Sequence, residues 1–576
     1  MRRLSCRVAL ALLLVLPVFA RERQATVWVP MRDGVRLSTH VFRPAGVARQ
    51  LPVLLIRTPY GKGNRLLPGY RVFIENGYAV VVQDVRGRYA SEGVFRPLTQ
   101  EENDGDDTLT WIARRPWSNG RVGMLGGSYV GIVQWKAALS RNPALKAIFP
   151  VVSGYDEYLD RFYSRGGALK LGHRLLWIAE NLRSPAIPRV DFRQIVSHLP
   201  VRTSDRFTAG RRVDFWQEAV SHPSYDDFWR ARSTRARLDN VQVPVFSVTG
   251  WYDNFAQSDL EAFTELSRRS PAHRIVVGPW GHSMSIPFPG ISYGPHSYAP
   301  VRQYQLEWFN QWVKSPAHGS ETLHPPVRIF VMGANIWRDE LEWPLRRTRY
   351  TPFYLTSRSG AATLTGDGSL TSTAGRADRD EFTYDPRNPV PTRGGAVCCN
   401  PKIFPWGPMD QRDVESRPDV LVYTTPPLKE DLEVTGVVRT ILFVSTNVPD
   451  TDFTAKLVDV FPNGHARNLT DGILRLRYRN SLERPELAKP GEVYRITIDT
   501  GVTSNVFLAG HRLRLEVSSS NFPRFDRNPN SGALIADETE LRPARQTVYH
   551  GRQYPSHVLL PVIPETTSVR SRRVSR

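Results

Sequence analysis

The chain has 576 residues, of which 41% are hydrophobic and 10% aromatic, and its formal net charge is +20. This length is too great for a single core and predicts roughly two to four domains. The 14 tryptophans argue against disorder of the main body. The basic residues are scattered and do not form a stripe interleaved with aromatic residues, which argues against a nucleic-acid partner.

Residues 1–20, MRRLSCRVALALLLVLPVFA, have the order of a secretory signal. Arginines precede an apolar run, and a small residue, Ala20, ends the segment. The run is too short to cross a bilayer comfortably, because a spanning helix needs about 20 apolar residues. The sequence therefore predicts cleavage after Ala20, a periplasmic or secreted location, and no integral membrane segment in the mature protein.

Residues 21–155 alternate between strand and helix patterns. Asp33 and Gly34 separate two alternating runs, which predicts a hairpin. The runs VLLIRTPY, YAVVVQDVRG and VGMLGGS are typical of strands that are buried on both faces of a mostly parallel sheet. NDGDDTLTWIARRPW predicts a crossover helix, and LKAIFPVVS predicts the next strand. This segment is predicted to be the first part of an α/β domain.

Residues 156–239 differ from the segment before them, because they are aromatic and helix-periodic and contain no strand run. We interpret them as an inserted helical cap. The strand pattern resumes in VPVFSVTGWYD and HRIVVGPW, and QLEWFNQWVK predicts a closing amphipathic helix. Residues 240–348 are therefore assigned to the second part of the same α/β domain.

Helical periodicity disappears in residues 349–566. Short strand patterns alternate there with Gly, Pro, Asp and Asn turns, which predicts an all-β sandwich or jelly roll. A basic tail, residues 567–576, follows. No internal repeat is evident, and the sequence does not indicate an oligomeric state.

Cys398 and Cys399 are the two cysteines left after signal cleavage. Adjacent cysteines can form a vicinal disulfide in an oxidising compartment, or they can remain two buried thiols. The sequence leaves both possibilities open. Two cysteines and scattered histidines give no metal-ligand spacing, so neither a metal nor another cofactor is predicted.

Ser128 lies in a glycine-rich corner, within RVGMLGGSYVGIVQW, that predicts a strand, a sharp turn and a helix. The nucleophile-elbow pattern G-x-S-x-G has a glycine two positions after the serine. Val130 stands at that position here, and Gly131 follows it. Taken alone, Ser128 is either a nucleophile in an altered elbow or an ordinary serine in a turn.

Asp253 and His282 each follow a predicted strand. Acyl transfer by serine needs a base within hydrogen-bond reach and an acid that orients the base. An α/β-hydrolase sheet carries these groups at the carboxyl ends of its strands in the chain order Ser, Asp or Glu, His. Alone, Asp253 could be a turn residue and His282 a loop residue, but with Ser128 they complete that order and predict a catalytic triad.

These motifs resemble those of the cocaine-esterase/X-Pro dipeptidyl-peptidase (CocE/NonD) serine hydrolases, a group that also includes α-amino acid ester hydrolases and glutaryl acylases. The elbow GGSYVG is similar to the G-x-S-Y-x-G elbow of that family. Further similar stretches are RTPYGK, QDVRGRYASEG, HPSYDDFW, GWYDNF, GPWGHS, DTDFTAKLVDVFPNG, LRLRYR and HRLRLEVSSSNFPRFDRN. The resemblance covers nearly the whole mature chain and implies an α/β-hydrolase domain with an inserted helical cap, followed by a jelly-roll domain.

The resemblance also implies the role of each site residue. Ser128 would be the nucleophile, His282 the general base and then acid, and Asp253 the carboxylate that holds the imidazole. The backbone N–H of Tyr129 and the hydroxyl of Tyr60 would form the oxyanion hole. A phenol that follows a buried strand can donate to a developing oxyanion, whereas without the resemblance Tyr60 would be interpreted as a packing residue.

Candidate substrate contacts are Asp156, Trp177 and Trp251. Asp156, together with Glu157 and Asp160, could anchor a substrate ammonium group or form a solvated helix N-terminus. Trp177 belongs to the aromatic cap residues that favour a hydrophobic acyl pocket, and Trp251 is close to Asp253 in the sequence.

The function predicted from the sequence is that of an exported serine hydrolase that cleaves a small ester or amide with an apolar or aromatic acyl group. Two alternatives are an X-Pro dipeptidyl-peptidase and an inert jelly-roll protein that binds carbohydrate. The expected partner is a small ester, an amide or a short peptide, and not a nucleic acid.

Overall fold

The computed structural model describes residues 22–46, 50–284, 287–314 and 324–564. The predicted signal and the basic tail lie outside these residues. Among the described residues, no helix is both long enough and apolar enough to cross a membrane.

A ten-stranded sheet forms the N-terminal domain, in the order β1-β2-β4-β3-β5-β6-β7-β8-β9-β10. Its strands are β1 (Glu22–Pro30), β2 (Arg36–Pro44), β3 (Leu51–Thr58), β4 (Ala79–Asp84), β5 (Ser118–Gly127), β6 (Leu145–Val151), β7 (Phe246–Tyr252), β8 (Arg274–Gly281), β9 (Val327–Val331) and β10 (Ile336–Glu340). Neighbours from β4 to β9 pair in parallel, and the predicted β1–β2 hairpin is confirmed as an antiparallel pair.

Helices cover both faces of this sheet, which explains why β3 and β4 are buried along their whole length. The α-helices of the described residues are α1 (Arg71–Glu75), α2 (Glu101–Ala113), α3 (Tyr129–Leu139), α4 (Leu171–Asn181), α5 (Phe192–Ser197), α6 (Ser204–Ala209), α7 (Asp214–Ser221), α8 (Asp227–Arg232), α9 (Ala256–Ser267), α10 (Val301–Phe309) and, in the C-terminal domain, α11 (Arg412–Glu415). Every residue of α3 except Val130 is buried. This helix is buried around its circumference because it is enclosed by the sheet and the cap.

The cap lies between β6 and β7 and contains α4 to α8, with no strand among its described residues. Leu175 and Ile178 of α4 belong to the same buried cluster as Ile132 and Trp135 of α3. The cap therefore packs directly on the helix that follows Ser128. The predicted closing helix, residues 305–314, begins earlier than expected. Helix α10 starts at Val301, and a π-helical turn continues it to Lys314.

The C-terminal domain is all-β, as predicted. Its eleven strands are β11 (Arg349–Thr356), β12 (Ser369–Thr371), β13 (Asp378–Tyr384), β14 (Leu421–Thr424), β15 (Leu432–Thr446), β16 (Asp452–Val460), β17 (Ala466–Arg475), β18 (Tyr494–Phe507), β19 (Arg512–Ser518), β20 (Ala544–His550) and β21 (His557–Ile563). The long strand β15 pairs with β18 on one edge and with β20 and β21 on the other.

The two domains share a buried cluster behind β7 and β8. The Tyr252 hydroxyl at the end of β7 donates to the backbone carbonyl of Asn468 in β17 at 3.0 Å. A Cβ atom added at Gly281, the last residue of β8, would lie 2.6 Å from the ring of Trp406. The C-terminal domain thus supports the ends of the two strands that precede Asp253 and His282.

Candidate active site

Ser128 is the corner residue between β5 and α3, with φ +56° and ψ −127°. A positive φ is uncommon for a residue other than glycine and is often found at functional sites. The backbone N–H of Ser128 donates to the carbonyl of Val151 at 2.9 Å, so the corner is held against the end of β6. The Ser128 side chain lines a cavity between the sheet and the cap.

Two glycines allow this corner to form around Val130. A Cβ atom at Gly126, where φ is +140°, would lie 2.2 Å from Val130 Cγ1. A Cβ atom at Gly131 would lie 2.6 Å from Ser153 Cβ. Gly126 therefore leaves space for the valine side chain, and Gly131 allows α3 to approach the segment that follows β6.

Ser128, His282 and Asp253 form a hydrogen-bonded chain at the carboxyl edge of the sheet. His282 Nε2 lies 3.0 Å from Ser128 Oγ, and His282 Nδ1 lies 2.6 Å from Asp253 Oδ2. Asp253 is buried, and its other oxygen accepts from the backbone N–H of Phe255 at 2.8 Å. With the proton on Nδ1, the imidazole can accept the hydroxyl proton of Ser128.

Two hydrogen-bond donors lie beside the Ser128 hydroxyl. Tyr129 is the first residue of α3, where backbone N–H groups have no partner within the helix. The Tyr60 hydroxyl interacts with Ser128 and accepts from the indole N–H of Trp177 at 3.3 Å. Desolvation raises the pKa of Tyr60, so its phenol keeps the proton that it could donate.

The Tyr129 side chain is fixed from three sides. Its hydroxyl donates to Glu101 Oε1 at 2.8 Å and accepts from the N–H of Leu98 at 3.1 Å. Its ring stacks on Trp177 with an interplanar angle of 8°. Burial raises the pKa of Glu101, although this carboxyl lies 2.7 Å from the guanidinium of Arg57. These contacts hold the start of α3, and hence the Tyr129 N–H, in place.

Residues 33–284 match the family model of the X-Pro dipeptidyl-peptidases (S15 family), and residues 318–559 match the model of their C-terminal non-catalytic domain. The chain is 41% identical to the cocaine esterase of Rhodococcus sp. (strain MB1 Bresler), over 94% of this chain and 98% of the relative. It belongs to this family of serine hydrolases. The expected family and enzyme class are thereby confirmed.

Two solved structures are similar to this chain along nearly its full length. An aminopeptidase from the marine sediment archaeon Thaumarchaeota archaeon is 28% identical with a TM-score of 0.80, and the match covers 97% of this chain and 99% of that one. An α-amino acid ester hydrolase is 27% identical with the same TM-score of 0.80, and the match covers 96% of this chain and 98% of the other. The fold of this hydrolase is therefore shared along nearly its full length.

Aromatic side chains form much of the wall of the cavity beside Ser128. Tyr60 and Tyr129 line it from the sheet domain, and Trp177 lines it from the cap. The other aromatic residues in its wall are Phe162, Phe215, Phe228, Trp229 and Phe255. A cavity with a mainly aromatic wall thus lies next to Ser128.

Asp156 and Trp251 do not line this cavity, which corrects the prediction that they contact substrate there. Asp156 is buried inside the cap, where it accepts from the Ser233 hydroxyl at 2.8 Å and from the N–H of Leu159 at 2.9 Å. Burial raises the pKa of its carboxyl. Trp251 donates its indole N–H to the carbonyl of Phe330 at 2.7 Å and belongs to the core behind the sheet.

Charged residues of the cap also line the cavity, and sequence reasoning missed those that are arginines. Arg161 and Arg174 are buried in its wall, and Glu157 pairs with Arg161 at 3.0 Å. The signal in the sequence was the occurrence of arginines within an apolar, helix-periodic segment. In most helices an arginine extends its charged end to the surface, so this pattern alone does not predict that Arg161 and Arg174 are buried.

A group of three potential metal ligands also lies beside the cavity. The ligand atoms of His173, Cys398 and Cys399 lie within 4.8 Å of one another. Cys398 and Cys399 are joined in a disulfide, so neither offers a thiolate in this state. Of the two possibilities that the sequence leaves open for these cysteines, the structure has the vicinal disulfide.

Proposed function

We propose that this protein is an exported serine hydrolase that cleaves esters or amides of small acids through an acyl-enzyme on Ser128. The observation that carries the proposal is the hydrogen-bonded chain from Ser128 through His282 to Asp253 at the mouth of an aromatic cavity. The relative named cocaine esterase and the fold neighbour named α-amino acid ester hydrolase support ester hydrolysis.

The mechanism follows from the atoms in this chain. As Ser128 Oγ bonds to the substrate carbonyl carbon, its proton passes to His282 Nε2, and Asp253 stabilises the imidazolium. The oxyanion receives hydrogen bonds from the Tyr129 N–H and the Tyr60 hydroxyl. His282 then protonates the leaving alcohol or amine as its bond to the acyl carbon breaks. His282 then deprotonates water, which attacks the acyl carbon of the ester on Ser128. His282 returns that proton to Ser128 Oγ as the acyl–oxygen bond breaks, and the acid is released.

The cavity supports an apolar or aromatic acyl group better than an N-terminal dipeptide. An X-Pro dipeptidyl-peptidase must hold a free α-ammonium group, for which a carboxylate is the matching partner. Three acids of the cap are engaged elsewhere: Asp156 and Asp160 accept backbone N–H groups, and Glu157 pairs with Lys136 and Arg161. A fourth, Glu218, lines the cavity 3.9 Å from the guanidinium of Arg232. An inert carbohydrate-binding function is disfavoured by the hydrogen-bonded chain at Ser128.

Turnover of a small substrate panel tests the proposal. We expect hydrolysis of a p-nitrophenyl ester by the wild type and no turnover by Ser128→Ala of unchanged fold. An amino-acid methyl ester and Ala-Pro-p-nitroanilide are expected to be poorer substrates. Equal activity of Ser128→Ala would overturn the mechanism, and a preference for Ala-Pro-p-nitroanilide would favour the peptidase alternative.

Export is part of the proposal because residues 1–20 have the charged, apolar and small-residue order of a signal. The mature N-terminus is expected at Arg21. N-terminal sequencing of the exported protein measures this directly, and an intact Met1 on exported protein would contradict it.

A further inference from the structure

The vicinal disulfide brings two sulfur atoms of the C-terminal domain to the cavity beside Ser128. Cys398 is fully buried, and Cys399, which is half-buried, lines the cavity. The residue that follows them is bound to helix α4 of the cap, because Asn400 Nδ2 donates to Glu180 Oε1 at 2.7 Å. The disulfide is therefore held against the cap at the edge of the cavity.

His173 of α4 lies next to the two sulfur atoms. One ring nitrogen of His173 and the sulfur atoms of Cys398 and Cys399 lie within 4.8 Å of one another. His173 is only 5% exposed, and its Nδ1 has no hydrogen-bond partner among the described residues. A buried polar nitrogen without a partner is unfavourable, so a group that bonds to Nδ1 would be stabilising.

The other ring nitrogen of His173 already has a neighbour. Nε2 lies 2.5 Å from Nη2 of Arg174, which donates to it. A metal ion on Nδ1 would place the ring proton on Nε2, so the guanidinium would have to move away from this nitrogen. Arg174 lines the cavity, and its Nε has no hydrogen-bond partner in the described part of the chain, so the cavity gives it room to move.

Two cysteine sulfurs and one imidazole nitrogen are a donor set for thiophilic metal ions. Zn²⁺ and related soft ions such as Cd²⁺ bind thiolates and histidine nitrogens in tetrahedral sites. Three protein ligands would leave the fourth position for a water molecule. Over the described ranges, no other group of three His, Cys, Asp or Glu residues has its ligand atoms this close together. The reaction at Ser128 uses none of these three residues.

The oxidation state of the cysteines decides whether this donor set is present. In the disulfide neither sulfur is a thiolate, so His173 would be the single ligand. A phosphine reduces the disulfide with two electrons: the S–S bond breaks, each sulfur takes up a proton, and the phosphine becomes a phosphine oxide with oxygen from water. A metal ion then displaces both thiol protons. For tetrahedral zinc the sulfurs must separate to about 3.8 Å, because each Zn–S bond is about 2.3 Å long.

This group of ligands shares its cavity with the nucleophile. His173, Cys399 and Ser128 all line the cavity. The ring of Phe255 packs against both histidines, with its centroid 6.2 Å from that of His173 and 5.7 Å from that of His282. A metal ion and its water molecule would therefore occupy space that an acyl group on Ser128 needs.

We propose that reduced Cys398 and Cys399, together with His173, form a binding site for one thiophilic divalent metal ion, and that an ion bound there inhibits hydrolysis at Ser128. The disulfide form would not bind the ion. Metal binding is independent of the proposed function, whereas the inhibition rests on it.

The test uses Cd²⁺ on the wild type in its disulfide form and after reduction with a phosphine, which is then removed without air. Mass spectrometry of alkylated cysteines measures the reduction. We expect one bound Cd²⁺ and an ultraviolet cadmium–thiolate band for the reduced chain, and neither for the disulfide form. Cd²⁺ should lower p-nitrophenyl ester turnover of the reduced protein by at least about 10-fold, because the acyl group is displaced. A chelator should restore it.

Three variants test the ligands. The double variant Cys398→Ser/Cys399→Ser should not bind Cd²⁺, and its turnover should not respond to Cd²⁺. His173→Gln should raise the Kd for Cd²⁺ by about 10-fold or more, since even the loss of an outer partner of a metal ligand costs that much. His222→Gln is the matched control, because His222 lies on the same cap, is partly exposed and pairs with Asp226. Its Kd should equal that of the wild type.

The outcomes separate the metal site from the hydrolase proposal. A reduced wild type that binds no Cd²⁺, a disulfide that the phosphine leaves intact, or equal binding by the folded double variant would overturn the site. If the double variant does not fold, alkylation of the reduced wild type gives the same comparison. Bound Cd²⁺ without an effect on turnover would overturn the inhibition. A metal-free protein that neither reacts with a fluorophosphonate nor hydrolyses any ester would overturn the proposed function, while Cd²⁺ binding would still decide the site.

Discussion

The carboxyl edge of the N-terminal sheet and the cap above it form two walls of one cavity, but their residues are positioned differently. Ser128, Asp253 and His282 directly follow β5, β7 and β8, so the backbone topology brings them together. Arg161 and Arg174 reach the cavity only through the packing of cap helices. We expect substitutions at the sheet edge to change kcat and those in the cap to change KM.

The largest effect is expected for His282→Ala, which removes both the base and the acid. Triad members act as a unit, so kcat for a p-nitrophenyl ester should fall by roughly 10⁴-fold to 10⁶-fold. Steady-state kinetics measures the loss. His296→Ala, at an exposed loop histidine, is the control and should match the wild type. A nearly normal kcat in His282→Ala would show that His282, at the carboxyl edge of the sheet, takes no part in the reaction.

Tyr60→Phe should have the next largest effect, because it removes one oxyanion donor and keeps the ring. Loss of such a donor costs about 10²-fold to 10³-fold in kcat, with little change in KM. Tyr350→Phe removes the hydroxyl of a tyrosine that is 45% exposed on β11 and serves as control. A rise in KM at constant kcat would instead assign Tyr60 to substrate binding.

Gly131→Ala should disturb the nucleophile corner through packing. The new Cβ would lie 2.6 Å from Ser153 Cβ, so α3 must move. Overpacking of this kind lowers the free energy of unfolding by about 1–3 kcal/mol. Urea denaturation measures the loss, and kcat should fall with it. Gly127→Ala is the control, because its Cβ would lie 3.4 Å from the nearest atom, an ordinary contact. Equal stability of both variants would contradict the close approach at Gly131.

Phe215→Leu should have the smallest effect, confined to the cap. Phe215 packs edge-to-face with Trp177, with their ring centroids 6.0 Å apart, and leucine keeps the wall apolar without that contact. Aromatic pairs of this kind are worth about 0.5–1.5 kcal/mol, so KM should rise by about 2-fold to 10-fold at nearly constant kcat. Phe207→Leu, at a partly exposed phenylalanine of the same cap, should leave both constants unchanged. If Phe215→Leu lowered kcat by a larger factor than it raised KM, the expectation that cap substitutions change KM and sheet-edge substitutions change kcat would be contradicted.

The sequence allowed much of the fold to be predicted, because chain order and strand ends are local features. Three residues of the right type follow three strand patterns, and a parallel sheet places such residues on one edge. Gly131 could be assigned to helix packing for the same reason, since the elbow is a local structure. Val130, which breaks the strict elbow pattern, is accommodated by the absence of a side chain at Gly126.

Other features depend on pairings between distant residues and were not predictable. Asp156 has the position of an exposed helix N-terminus, yet Ser233 and the folded cap enclose it. Strand β17 is buried along its whole length although it contains polar and charged residues, so its sequence lacks the apolar pattern of a buried strand. Arg475 of β17 is buried in ion pairs with Asp452 at 2.9 Å and Asp526 at 2.7 Å. Ion pairs between residues that are distant in the chain produce no periodic pattern, so they cannot be predicted from a single sequence.

Labelling with a fluorophosphonate, followed by mass spectrometry of the modified peptide, tests the central claim most directly. The probe phosphonylates a serine that a neighbouring histidine activates. We expect stoichiometric labelling of Ser128 in the wild type, none in Ser128→Ala, and strongly slowed labelling in His282→Ala. An unlabelled wild type, or a label on another serine at the same rate in all three proteins, would contradict the assignment of Ser128 as the nucleophile.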